Sequence, residues 1–158
     1  MTGSGTTLGS GLFRAIPADK HKALMGLSRE VGFARGVRIF EEGARADRFW
    51  VLRSGRAALD LHVPGRRAAD VEVLEAGDLL GWSWLFPPYV WHLGARALTE
   101  VAADEFDAEA VRALCAKDPE LGQAVTLAVG AVIGHRLMAA RTRLLDLYAP
   151  YGSGPPRG

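Results

Sequence analysis

The sequence predicts an α+β fold: a short helical lead-in, a β sandwich or barrel, and a helical end closed by one long helix. Three observations carry this prediction. The hydrophobic period changes twice along the chain. Glycines at Gly36, Gly43, Gly55, Gly65, Gly77 and Gly94 cut its middle into short segments. Near the end, a stretch of about thirty residues holds helical spacing without a proline.

From Leu12 to Gly32 the apolar positions Leu12, Phe13, Ile16, Leu24 and Leu27 recur at helical steps, with Pro17 and Asp19 placed as at a helix start, so a helix is expected there. From Val37 to Val101 short strands joined by turns are expected. In "FWVLRSGRAALDLHV" an apolar run meets a Ser-Gly turn, after which Ala58, Asp60 and His62 alternate with Leu59, Leu61 and Val63. That pattern reads as a hairpin with one buried face. "RRAADVEVLEAGD" repeats the alternation and closes on another glycine turn. Beyond Asp107, "DAEAVRALCAKDPELG" reads as one short helix, and Pro119 suits the first turn of the next. "ELGQAVTLAVGAVIGHRLMAARTRLLDLYA" is then the longest helix. The breaker-rich "PYGSGPPRG" and residues 1–11 are expected to be disordered tails, with a single domain over 12–148.

A chain of 158 residues is the size of one domain and buries about two-thirds of its unfolded surface in a single core. Its 49% apolar and 23% charged residues are ordinary for a globular protein. A net charge of +1 provides no field to draw nucleic acid or a membrane surface. Cys115 stands alone, which excludes an intramolecular disulfide and a cysteine-rich metal site and fits a reducing, cytoplasmic location. The start "MTGSGTTLGSG" has neither a basic region nor an apolar run, and no apolar stretch approaches about eighteen residues, so no exported or membrane-spanning segment is expected.

The chemistry concentrates in "GDLLGWSWLFPPYVWH", residues 77–92, which holds Trp82, Trp84 and Trp91 beside two prolines and His92. The order of helix, glycine-punctuated β region and helices, together with "LFRAIPADKHKALMGLSREVGFARGVRIFEEGARADRFWVLRSGRAALDL", resembles a cyclic-nucleotide-binding domain. The shared features are a Leu-Phe-x-x-Ile-Pro opening, "GVRIFEEG", Asp47 ahead of an aromatic-rich strand, and a Ser-Gly turn. "GDLLGWSWLFPPYVWHLGARALTEV" is similar to that family's phosphate-binding cassette and the strand after it. The resemblance implies a β jelly-roll (double-stranded β-helix) with short flanking helices and a long C-terminal helix, as in the sensor half of Crp/Fnr-type regulators.

The family's cassette reads approximately Gly-Glu-Leu-Ala and then, nine residues past the Glu, Arg followed by Ser or Thr. Laid on it without gaps, Gly81 matches the glycine, Trp82 falls on the Glu, Trp91 on the Arg and His92 on the hydroxyl residue. The resemblance assigns the Glu to the ribose hydroxyl and the Arg to the cyclic phosphate, and an indole supplies one donor and no charge for either task. Arg96 matches a basic position on the following strand and is expected to point elsewhere by strand alternation. Two readings of Gly81, Trp82, Ser83, Trp84, Trp91 and His92 therefore stand open. The rings fill the cavity of a domain that has lost its ligand, or they line a pocket for something flat or apolar, with the Ser83 N–H and His92 as polar anchors. His92 lacks partners at ligand spacing, so no metal and no cofactor is expected.

The long helix carries an apolar face wider than one stripe: Val125, Val129, Val132, Arg136, Ala139 and Leu144 lie on one strip, and Leu127, Ala131, Gly134, Leu137, Met138 and Leu145 on its neighbour. One strip can pack on the barrel and the other on a twin. Gly130, Ala131 and Gly134 permit close approach, and the resemblance implies a parallel homodimer along this helix, with Val129, Val132, Gly134, Leu137 and Arg141 as its candidate seam. Arg136, Arg141 and Arg143 read as a solvated basic flank. Crp/Fnr-type factors continue into a helix-turn-helix domain, whereas only "PYGSGPPRG" follows here, so direct DNA binding is not expected. A cupin-like metalloenzyme needs converging histidines that begin from a His-x-His pair, which is missing, as are a Gly-x-Ser-x-Gly elbow and a phosphate loop. The expectation is a non-enzymatic regulatory domain that acts as a dimer on a protein partner; the alternative is a sensor of a non-standard small ligand.

Overall fold

The computed structural model describes residues 12–148, so both expected tails lie outside the described residues. A 3₁₀ turn, Leu12–Ala15, leads into α1 (Ala18–Met25). Eight strands follow: β1 (Ser28–Phe33), β2 (Arg38–Phe40), β3 (Arg48–Ser54), β4 (Ala57–Leu61), β5 (Ala69–Leu74), β6 (Leu79–Leu80), β7 (Gly94–Ala97) and β8 (Val101–Asp107). A second 3₁₀ turn, Ser83–Leu85, lies between β6 and β7, and the chain ends in α2 (Ala108–Lys117) and α3 (Pro119–Tyr148). The strands form two antiparallel sheets, β1-β8-β3-β6 and β2-β7-β4-β5. This is the α+β jelly-roll expected from the sequence.

Two local expectations fail. Ser28–Phe33 is a strand, paired with β8 from Ser28 opposite Phe106 to Phe33 opposite Val101, rather than the end of the first helix. Val31 follows Leu27 at a helical step, so period alone could not separate the two. The segment around Ser54-Gly55 is no hairpin, because β3 pairs with β6 and β8 whereas β4 pairs with β5 and β7. The turn carries the chain from one sheet to the other. Gly55 sits there at φ +84, where a Cβ would lie 2.1 Å from the Glu100 carbonyl oxygen, so the crossing needs glycine. Nor does β4 bury one face only, since Ala58 and Asp60 are buried along with Ala57 and Leu59. Arg38 covers Asp60 from outside, its Nη1 donating at 2.8 Å, with Arg96 3.8 Å away.

Strand alternation sorts the aromatic side chains into two layers. Trp50 stacks across the sandwich on Phe40, with ring centroids 5.7 Å apart, and so lies between the sheets. Phe49, the next residue, points the other way and stacks on Phe106 at 4.7 Å, beneath the helices. Phe13 of the first turn reaches that outer layer, 6.3 Å from Phe106. Its own carbonyl accepts at 3.0 Å from the ring Nε2 of His21 on α1, which ties the lead-in together.

Asp107 caps α2, accepting from the N–H groups of Glu109 and Ala110, and the Asp118 carboxylate accepts from Leu121 N–H at 3.3 Å at the start of α3. Leu121, Val125, Ala128 and Val129 of α3 are buried against the barrel. Further on, Leu137, Met138, Leu144, Leu145, Leu147 and Tyr148 are all more than half exposed. By length and composition α3 is long and apolar enough to cross a bilayer, with a mean hydropathy of 1.3 over its best window. That departs from the expectation that no segment would qualify, which counted unbroken apolar runs; the window averages across Gly130, Gly134, Thr126 and His135. Only 17% of that window is buried, and the buried residues of the helix fall between Leu121 and Val129.

Candidate functional site

The segment after β6 folds as a tight series of turns. Gly81 takes φ +98, and Trp84 Nε1 donates back to its carbonyl at 3.1 Å. The Pro87-Pro88 peptide is cis and Tyr89 takes φ 58. Trp91 is pinned on both sides of its backbone, its N–H donating to Ala44 O at 2.9 Å and its carbonyl accepting from Gly43 N–H at 2.7 Å. Two arginines from the helices grip this segment: Arg112 of α2 donates to Trp84 O at 2.7 Å, and Arg136 of α3 donates to Leu79 O. Arg112 also lies over the Tyr89 ring, 4.2 Å from its centroid.

The three tryptophans go to three different places. Trp91, 5% exposed, lies between the sheets, stacked on Phe40 at 4.0 Å. Its ring covers Gly81 so closely that a Cβ there would sit 2.5 Å from Cη2. Trp84 is fully buried, but in the outer layer, stacked on Phe49 at 4.0 Å. It packs on the far side of the sheet from Trp91, so its place in the candidate pocket is a correction. Trp82 stays half-buried at the rim, stacked on His92 with ring centroids 5.8 Å apart, while Phe86 meets it edge-on at 6.0 Å.

What is left of a pocket is small. A cavity of about 30 Å³ is lined by Phe40, Leu59, Gly81, Trp82, Ser83, Trp91, His92, Leu93 and Arg136, room for about one water molecule. Ser83 Oγ and His92 Nδ1 share a hydrogen bond of 3.2 Å at its edge. Gly81, Trp82, Ser83, Trp91 and His92 all line it, and Arg136 joins them although the sequence placed it on a solvated flank. Only 12% of its side chain is exposed, and Glu72 lies 3.8 Å from its Nε. Burial pushes its pKa down, opposed by the nearby Glu72 and Asp78 carboxylates.

Arg96 points away from this cavity, as expected, and pairs with Asp70 at 2.8 Å. Among the described residues no cluster of His, Cys, Asp and Glu is arranged to hold a metal ion. A larger cleft of about 600 Å³ runs between the ends of β1 and β8, the 45–48 segment and α2. Within it Glu105 accepts from Arg29 Nε at 2.8 Å and from Trp50 Nε1 at 3.0 Å, with Arg48 3.6 Å away.

A family model described as the cyclic nucleotide-binding domain matches residues 30–118, more than half of the chain. The chain belongs to the cyclic nucleotide-binding domain family. A curated relative, the CRP-like cAMP-activated global transcriptional regulator of Mycobacterium tuberculosis, is 28% identical over 138 residues, which are 87% of this chain and 60% of that protein. The chain therefore spans less than two-thirds of the length of the curated relative it matches. The N-terminal domain of a transcriptional regulator from Streptomyces coelicolor A3(2) superimposes with a TM-score of 0.67 at 25% identity, covering 94% of this chain and 99% of that one. The catabolite activator protein of Thermus thermophilus gives a TM-score of 0.68 at 21% identity, over 90% of this chain and 63% of that one, a likeness of fold.

Within this cyclic nucleotide-binding domain, the Trp91 indole lies on Gly81. Trp82 stacks on His92. The one cation that does line the cavity, Arg136, comes from α3 instead of the cassette.

Of the candidate dimer residues, Val129 is buried in the core and Val132 is partly buried against it. Gly134, Leu137 and Arg141 are exposed.

Proposed function

We propose that this chain is a regulatory domain of the Crp/Fnr type whose cassette has exchanged its ligand for its own side chains, and that it acts through protein contacts as a cytoplasmic homodimer. The observation that carries the reading is the Trp91 ring, stacked on Phe40 at 4.0 Å between the sheets and seated on Gly81. Indole occupies the place that the family resemblance gives to a cyclic phosphate, and the cavity beside it, about 30 Å³, is far below the roughly 300 Å³ at which small-molecule sites begin. The sensor of a flat or apolar ligand finds little room there.

The dimer is supported by the outer stripe of α3. Leu127, Leu137, Met138 and Leu145 are each more than half exposed, and a Cβ added at Gly130 or Gly134 meets nothing within 4 Å. Such a stripe, apolar and with small residues at its waist, fits a second copy of the same helix. No catalytic step is assigned to the domain. Native mass spectrometry of protein taken gently from its host tests the reading: a dimer at twice the chain mass with no added small molecule is expected, and a retained mass of a few hundred daltons (the drug-like class such pockets hold) would overturn it in favour of a sensor.

A further inference from the structure

The stripe by which α3 meets the barrel ends at Arg136. Upstream, Val125, Ala128 and Val129 are buried and Val132 and Ile133 pack on the same core. Immediately downstream, Leu137 and Met138 are 65% and 56% exposed. At this boundary a guanidinium is folded inward, 12% exposed, where an unpaired charge is strongly unfavourable. It is paired: Nη2 donates to the carbonyl of Leu79, and Glu72 of β5 lies 3.8 Å from Nε. Leu79 belongs to the two-residue strand that runs directly into Gly81, and Arg136 forms part of the wall of the residual cavity beside Trp82 and Trp91.

We propose that Arg136 is a built-in clamp, a positioning residue that ties α3 to the cassette and fixes the direction of the helix's exposed half with no ligand present. The inference rests on the filled-cassette reading for its meaning. Its mechanics are those of a lever. From Arg136 to Tyr148 the helix extends about 18 Å at about 1.5 Å per residue, so a tilt of about 10° at the clamp moves the tip by about 3 Å. The exposed stripe is carried on that lever. A guanidinium suits the task because its planar fork addresses the Leu79 carbonyl and the Glu72 carboxylate together, and a lysine ammonium lacks that fork.

Amide hydrogen exchange on the full chain tests the clamp by comparing wild type with Arg136→Ala and Arg136→Lys. In Arg136→Ala the amides of residues 130–140 and 79–83 are expected to lose about ten-fold or more of their protection while those of β3 and β8 keep theirs, as a local opening does; Arg136→Lys recovers part of the loss. Unchanged protection in the helix would overturn the proposal. So would a uniform loss over the whole barrel, which is what a merely structural contact gives. Should Arg136→Ala not fold, Arg136→Lys carries the test alone: a several-fold loss confined to those two segments supports the clamp, and wild-type protection overturns it. Calorimetric titration of the wild type with cyclic AMP keeps the two readings apart, because binding there would remove the filled-cassette reading and leave the exchange result standing.

Discussion

Truncating Trp91 to alanine probes the interior directly. The ring is 5% exposed, stacks on Phe40 at 4.0 Å and lies 6.3 Å from the Trp50 ring, so its removal leaves a void walled by aromatic side chains and Gly81. Losses of this kind cost about 3–5 kcal/mol, a large part of the roughly 5–15 kcal/mol that holds a domain folded. For a chain of this size each kcal/mol moves Tm by about 2–4 °C, so Trp91→Ala is expected to melt about 6–20 °C below wild type. The void has the shape of the side chain that left it, and free indole should enter. With a Kd of about 0.1 mM, indole at about 1 mM restores about 1.4 kcal/mol, or about 3–6 °C. Thermal unfolding followed by circular dichroism, with and without indole, reads both effects. A loss under about 1 kcal/mol, or an indole effect no larger on the variant than on wild type, would refute the claim that this ring fills the barrel.

Gly134→Glu is expected to convert a dimer into a monomer in sedimentation at about 10 μM, where a dimer of micromolar or tighter affinity persists; because a Cβ at Gly134 meets nothing within the chain, the variant keeps its fold, and a wild-type monomer would remove the dimer from the proposal. The Lys20 ammonium hydrogen-bonds the Asp118 carboxylate and, with the Leu121 N–H, holds its pKa below the ordinary value, so its contribution to stability is present above that ordinary value and lost as pH falls through the lowered one. Asp118→Asn keeps a cap but drops the ion pair: urea midpoints should differ from wild type at neutral pH and converge in strong acid, and a difference that persists there contradicts the assignment.

Much of the fold is legible in the chain because its markers are local. Gly36, Gly43, Gly55, Gly65 and Gly77 all take positive φ at turns, and Pro119 opens the long helix as its position suggests. Where pairing decides, local pattern fails. "SREVGF" becomes a strand because β8 lies beside it, and the Ser54-Gly55 turn changes sheet because β4 finds β5 and β7. The same limit governs the site. The tryptophan cluster marks the cassette, yet Trp84 sits in the 3₁₀ turn Ser83–Leu85 and Trp91 after a further series of turns, so no periodicity describes which of them faces inward. Arg136 reads as one more basic residue on a helix, and its inward turn follows from a tertiary partner, the Leu79 carbonyl. Gly94 is a further case: a Cβ there would lie 2.5 Å from Asp60 Oδ1 and 2.7 Å from Arg38 Nη1. Its missing side chain makes room for an ion pair the sequence gives no reason to expect.

Titration of the intact protein with cyclic AMP and cyclic GMP, by calorimetry and by tryptophan fluorescence together, tests the central claim most directly. In the filled-cassette reading proposed above, the indoles at positions 82 and 91 replace two charge-assisted contacts worth about 1.5–3 kcal/mol each. Their loss lowers affinity by about 10²- to 10⁴-fold, and the Trp91 ring blocks the space besides. No binding heat and no saturable change in fluorescence are expected through the micromolar range. Saturable binding of either nucleotide at low micromolar concentration, seen by both methods, would contradict it.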